Sequence, residues 1–313
     1  MRVISRHTLA VSTLAFAAFA GTAAAQSPGR IEHRINPDMY AAAQPTTGST
    51  GTQTPVITYH GGAVMGTPTV YLIWYGNWNQ TNGSDTPAGQ QLVRDFLFGL
   101  SNSPYYQINT SFSATGGTPT GLVTVGGETT DTGSQGTRLS DTRVQAVVSH
   151  AISTGHLPKD TKGVYFVLTS SNVSESSGFC TRYCGWHTSA TISGTNIKYS
   201  FVGNANRCLS ACAAQTTGPN GNAGVDGMIS VIAHELEEAN TDPNPTSGWA
   251  DSGGAENADK CAWTFGAAQF QAANGAWANL TLPKSSGGSN NYLVQRNLDS
   301  SSLCYINYVT KQQ

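Results

Sequence analysis

The chain has 313 residues, of which 11% are charged, with Lys+Arg 16 against Asp+Glu 18 and a net charge of −2. That balance excludes a nucleic-acid binder working through a basic stripe, and so little charge excludes a long helical bundle or coiled coil. Hydrophobic residues at 38%, aromatics at 9% and 35 glycines point instead to a cored, loop-rich fold with strands.

Residues 1–25 read as a secretory signal peptide. Arg2 and Arg6 supply the positive end, Leu9 to Ala20 the apolar run, and Thr22-Ala-Ala-Ala25 the small-residue exit. No later stretch is apolar enough to span a bilayer, so a secreted protein without a membrane anchor is expected. Residues 26–55, rich in Ser, Thr, Gly and Pro, are expected to form a disordered linker. The domain should then occupy 56–313.

Val70-Tyr-Leu-Ile-Trp-Tyr75 is a β-branched and aromatic run and predicts a strand covered on both faces. Ala88 to Leu100 has the apolar spacing of an amphipathic helix. Gly121 to Val125 predicts a short strand, Asp141 to Ser153 a helix, Gly163 to Thr169 and Ile197 to Val202 two further strands. Asp226 to Asn240 is the clearest helix. This alternation predicts a single α/β or α+β domain, a mixed sheet with packed helices and a loop-rich, disulfide-bearing C-terminal half.

All six cysteines lie in the second half: Cys180, Cys184, Cys208, Cys212, Cys261 and Cys304. An even number in an exported chain predicts disulfides. Fifteen pairings are possible and the sequence does not choose among them; the expected pattern is two local bridges plus Cys261 joined to Cys304.

Seven of the 18 acidic residues fall between 235 and 259: Glu235, Glu237, Glu238, Asp242, Asp251, Glu256 and Asp259. Mutual repulsion disfavours such crowding unless water or a cation compensates. On the helix, Val225, Met228, Ile229, Ile232, Ala233, Leu236 and Ala239 share one face, and His234 falls opposite. Glu238 lies one turn beyond His234, so both side chains can converge on one ion. Glu235 is rotated by about 100° to the flank, where a carboxylate can take a proton from an attacking water.

Val231-Ile-Ala-His-Glu-Leu-Glu-Glu-Ala239 resembles the His-Glu-x-x-His helix of zinc peptidases, with Glu238 in place of the second His. The flanking pattern looks like that of the thermolysin-like gluzincins, whose third ligand is a downstream Glu supported by an Asp. That resemblance implies a zincin-like active helix, with zinc on His234, Glu238 and Glu256 and Asp259 orienting a ligand. Glu235 would be the general base. Asp242 and Asp251 are alternative third ligands. His187, in Cys184-Gly-Trp-His187, is a candidate for polarising a substrate carbonyl. Calcium is the alternative cofactor, because Asp242, Asp251, Glu256 and Asp259 are hard oxygen donors in Gly/Asn-rich loops.

A second resemblance spans roughly 56–305. Tyr59-His-Gly-Gly62, Leu72-Ile-Trp-Tyr-Gly76, Leu157-Pro-Lys-Asp160, Val167-Leu-Thr-Ser170, Gly178-Phe-Cys180, Val202-Gly-Asn204 and Gly224-Val-Asp-Gly-Met228 stand in the order seen in the exordium, or phosphate-induced protein 1, family. The resemblance implies an extracellular, disulfide-bearing, single-domain protein. The expected function is a secreted zinc-dependent hydrolase, most simply a peptidase acting on protein or peptide substrate. The alternative is a non-catalytic extracellular binding or signalling protein with a calcium-stabilised acidic loop. Trp78, Trp249 and Trp277, if exposed, would also allow contact with a cell-wall glycan.

Overall fold

The computed structural model describes residues 31–35, 56–115 and 117–313. The expected signal peptide and most of the expected linker lie outside them. A six-stranded mixed sheet organises the domain. Its strands are β1 (Ile31–Arg34), β2 (Thr69–Tyr75), β3 (Thr124–Asp131), β4 (Gly163–Thr169), β5 (Tyr183–Ile192) and β6 (Thr195–Gly203), in the spatial order β1-β5-β6-β4-β2-β3. The four strands from β6 to β3 run parallel, while β5 and β1 add an antiparallel edge. The main helices are α1 (Pro87–Leu100), α2 (Asp141–Ser153) and α3 (Ala223–Thr241).

Local chemistry explains most of these elements. β4 is buried at every position, as expected of a strand covered on both faces. Ser193 and Gly194 both have positive φ, which suits the tight two-residue hairpin joining β5 to β6. Thr86, Ser140 and Asn222 cap the three helices by accepting from Gly89, Arg143 and Val225 backbone N–H groups.

α3 departs from the expected amphipathic helix. Every residue except Ala223 and Gly227 is buried, because β1, β5, β6, α1 and the C-terminal loops surround it. A helix enclosed on all sides is ordinarily apolar throughout. This one buries His234, Glu235, Glu237, Glu238 and Asn240, whose polar atoms therefore need partners.

Four expectations are corrected. The strand expected at Gly121–Val125 runs instead over Thr124–Asp131; it is a polar sheet edge with no apolar run to mark it. Ile31–Arg34, inside the stretch expected to be linker, is a strand paired with β5. The first two disulfides are crossed rather than local: Cys180–Cys208 and Cys184–Cys212, beside the expected Cys261–Cys304. Cys184 sits in extended β5, which carries it away from Cys180 and toward the short helix Leu209–Cys212. Trp78 is buried and donates to the Leu168 carbonyl, so it offers no face to a sugar.

Gly185 sets the approach of β5 to α3. A Cβ there would lie 2.6 Å from Val231 Cγ1, 3.0 Å from the Phe201 carbonyl oxygen and 3.1 Å from Glu235 Oε1. Gly185→Ala is expected to cost about 1–3 kcal/mol of stability in urea denaturation. Unchanged stability would contradict this close packing.

Candidate metal centre

The cluster is built from α3, β5 and the loop beyond α3. The helical pitch places Glu238 one turn above His234, and Nε2 of His234 stands 3.0 Å from Glu238 Oε1. His187 extends from β5 on the same side as Gly185, where the missing side chain leaves room for Glu235. Its Nδ1 lies 3.3 Å from Glu235 Oε2 and 3.5 Å from Glu238 Oε2, and its Nε2 lies 3.5 Å from Glu256 Oε2. The loop is pinned to the helix where the Asp259 N–H donates to Glu238 Oε1 at 3.1 Å and the Glu256 N–H to Asp259 Oδ2 at 3.2 Å. Cys261–Cys304 anchors its far end.

Two ligand sets result. His234, Glu238 and Asp259 form one; His187, Glu238 and Glu256 form the other. In each, the ligand atoms lie within 4.8 Å of one another. Glu238 belongs to both. The trio expected from sequence is thus divided: Asp259, not Glu256, joins His234, while Glu256 faces His187. Asp251 is engaged elsewhere, and Asp242 touches the cluster through Glu256 while also holding a turn. The Asp242 carboxylate accepts from the Thr246, Ser247 and Gly248 backbone and closes the turn after α3. Asp251 pairs with Lys260 and accepts from Gly253 and Ala255.

The electrostatics are unusual. His187, His234, Glu235, Glu238 and Glu256 are all 0% exposed; Asp259, with a side chain 20% exposed, is the member that reaches solvent. No lysine or arginine pairs with this cluster among the described residues. His234 Nε2, Glu235 Oε1, Glu238 Oε2 and both Glu256 oxygens have no hydrogen-bond partner there. Burial, then the charges of Glu238 and Asp242, push Glu256 well above the usual carboxylate range. Burial also raises Glu235, to about 7, against the hydrogen bond from His187. Burial opposes the ionisation of Glu238, but His234 and His187 together outweigh it and hold that carboxyl low. For His187, burial opposes the charged form, yet Glu235 and Glu238 raise it to about 10.

These donors fit a transition-metal dication. One imidazole nitrogen and two carboxylate oxygens converge, and the nitrogen is unsatisfied. His234 presents Nε2 to two carboxylates, Glu238 at 3.0 Å and Asp259 at 3.6 Å, while its Nδ1 is held by Gln295; His187 divides its two nitrogens among Glu235, Glu238, Glu256 and the Asp242 carbonyl. Calcium prefers six to eight oxygens, and Asp251 is withdrawn from such a set by its pairing with Lys260.

Two site residues escaped the sequence reading. The Gln295 amide spans two imidazoles, accepting from His33 Nε2 at 2.8 Å and donating to His234 Nδ1. In this orientation His234 Nδ1 accepts and the ring carries its proton on Nε2; freeing Nε2 for a metal requires the proton on Nδ1 and a half-turn of the amide, which would reverse the His33 contact as well. A polar residue following Tyr292-Leu-Val294 was the available signal for Gln295; nothing local marked His33. Glu237 points elsewhere, toward Asn297, and burial keeps it well above the usual range.

A family model described as the phosphate-induced protein 1 conserved region matches residues 57–298. Protein EXORDIUM-like 3 of Arabidopsis thaliana is 30% identical over 276 residues, covering 76% of this chain and 78% of that protein. Protein EXORDIUM-like 5 of the same plant is 32% identical over 215 residues, covering 59% of this chain and 57% of that protein. Protein PHOSPHATE-INDUCED 1 of Nicotiana tabacum is 26% identical over 219 residues, covering 60% of this chain and 65% of that protein. The chain thus spans less than two thirds of the length of two of these relatives. No solved structure matches.

Proposed function

This chain belongs to the phosphate-induced protein 1 family of exordium-like proteins, and we propose that it works outside the cell as a zinc-dependent hydrolase of polypeptides. Its three disulfides suit an oxidising compartment. Among the described residues no helix is long and apolar enough to cross a membrane. The observation that carries the reading is the buried His234 Nε2, which makes no aligned hydrogen bond yet converges with Glu238 Oε1 at 3.0 Å and Asp259 Oδ1 at 3.6 Å.

His234, Glu238 and Asp259 would hold the ion, which when bound supplies a Lewis acid that polarises a substrate carbonyl. Gln295 orients the His234 ring. Glu235, next in sequence to a ligand, keeps Oε1 unpartnered to take a proton from water and return it to the leaving amine. His187 fixes the other Glu235 oxygen through Nδ1. Against burial, Glu235 and Glu238 favour the imidazolium form of His187, and Glu256 stands 3.5 Å from its Nε2 on the far side.

Elemental analysis of the purified protein tests the reading, together with cleavage of an unfolded protein with and without chelator. The expected result is about one zinc per chain and cleavage that chelator stops and zinc restores. Zinc well below one equivalent with chelator-insensitive behaviour overturns it.

A second reading is favoured by the full burial of His234 and Glu238: a structural ion in a non-catalytic extracellular protein. Metal-dependent melting without any cleavage would support it, and a response to calcium alone would identify the ion.

A further inference from the structure

The burial of the centre has a local cause. β1 crosses it, pairing antiparallel with the segment of β5 that carries the site: Ile31 faces His187, Glu32 faces Trp186 and His33 faces Gly185. The His33 side chain turns inward. Its ring meets His234 edge-on at 4.2 Å and Trp263 at 4.9 Å, and Nε2 donates to Gln295. Two backbone contacts extend the grip: Trp263 Nε1–H donates to the Arg34 carbonyl at 2.8 Å, and the Ile35 N–H to the Arg182 carbonyl at 3.0 Å.

This strand lies outside the region shared with the family, which begins at residue 57. Sequence residues 36–55 separate it from the rest of the domain. It covers an edge whose other neighbour, β6, completes the sheet without it. Its inward plug is incompletely satisfied: the ring bonds Gln295 through Nε2, but His33 Nδ1 is buried with no hydrogen-bond partner among the described residues. Such an orphaned group costs about 1–3 kcal/mol.

We propose that the β5 edge is a binding groove for an extended peptide, and that Ile31–Arg34 occupies it as an internal, displaceable ligand. The ligand class follows from the contacts. Free strand edges recognise peptide backbone of any sequence, and the slot filled by His33 adds a preference for a side chain that can hydrogen-bond to Gln295 and pack on Trp263. A peptide seated there lies directly over His234, within reach of Glu235 and His187. β1 thereby shields the centre until it leaves. The inference rests on the hydrolytic reading for its activity readout, so two other readouts accompany it.

The test uses the full mature chain with a specific protease site inserted between residues 45 and 50, cut only after folding. Cutting converts β1 from a tethered to a bimolecular ligand, and a four-residue strand at micromolar concentration dissociates. Hydrogen exchange of residues 183–192 should then accelerate by about tenfold or more, and zinc transfer to a chromogenic chelator should accelerate with it. A synthetic peptide spanning residues 29–36 should reverse both. His33→Ala in the uncut chain should produce part of the effect. Unchanged exchange after cutting overturns the proposal, as does faster exchange with unaltered chelator access. Faster exchange and chelator access without peptide cleavage keeps the groove and overturns the hydrolytic reading instead.

Discussion

Glu238→Ala is expected to remove zinc from the protein, lowering the purified content from about one per chain to below about a tenth. No other residue is common to both ligand sets. Its Oε1 faces His234 and anchors the loop through the Asp259 N–H, while Oε2 faces His187. Removing the carboxylate deletes one ligand and unpins a second. It also leaves two buried imidazoles without a shared counter-charge, and breaking such a buried pair typically costs about 3–5 kcal/mol. Lower stability should therefore accompany the loss of metal. Glu238→Gln separates the two effects, because it preserves shape while weakening the donor; it should stay folded and still bind zinc poorly. Wild-type zinc content in both variants would remove Glu238 from the centre.

Glu235→Gln is expected to lower kcat by about 10²–10⁴-fold with zinc content unchanged. The substitution keeps the volume that Gly185 accommodates and an oxygen to accept from His187 Nδ1. What it loses is the capacity to carry a proton. Elemental analysis beside kinetics distinguishes this from a ligand defect, which would lower both. Equal turnover in variant and wild type would exclude Glu235 from proton transfer and favour the structural-ion reading.

Elements whose stabilising contacts are reflected in their own residues were legible from sequence. β2 and β4 are continuous β-branched and aromatic runs, and the bounds of α2 follow from the Ser140 cap and the spacing of Val144, Val147, Val148 and Ile152. β5 was not legible. In Tyr-Cys-Gly-Trp-His-Thr-Ser-Ala-Thr-Ile the alternate apolar positions Cys184, Trp186, Ala190 and Ile192 are broken by Thr188 and diluted by small and polar neighbours, and its conformation is fixed by β6, α3 and two cross-links. β1 was invisible for the same reason: four residues in a polar stretch become a strand only when an edge is offered.

The site divides along the same line. The sequence determined that His234 and Glu238 share one side of a helix with Glu235 on its flank, because a helix repeats every 3.6 residues wherever it is placed. It also marked the loop that returns carboxylates to them. Tertiary structure decided that Asp259 rather than Glu256 stands beside His234, that His187 holds Glu235, and that Gln295 and His33 close over the imidazole. Those partners come from β1, β5 and the C-terminal loops, separated from His234 along the chain by between 25 and 201 residues. Contacts across such separations are set by how layers pack and cross-link, and local periodicity carries no record of them.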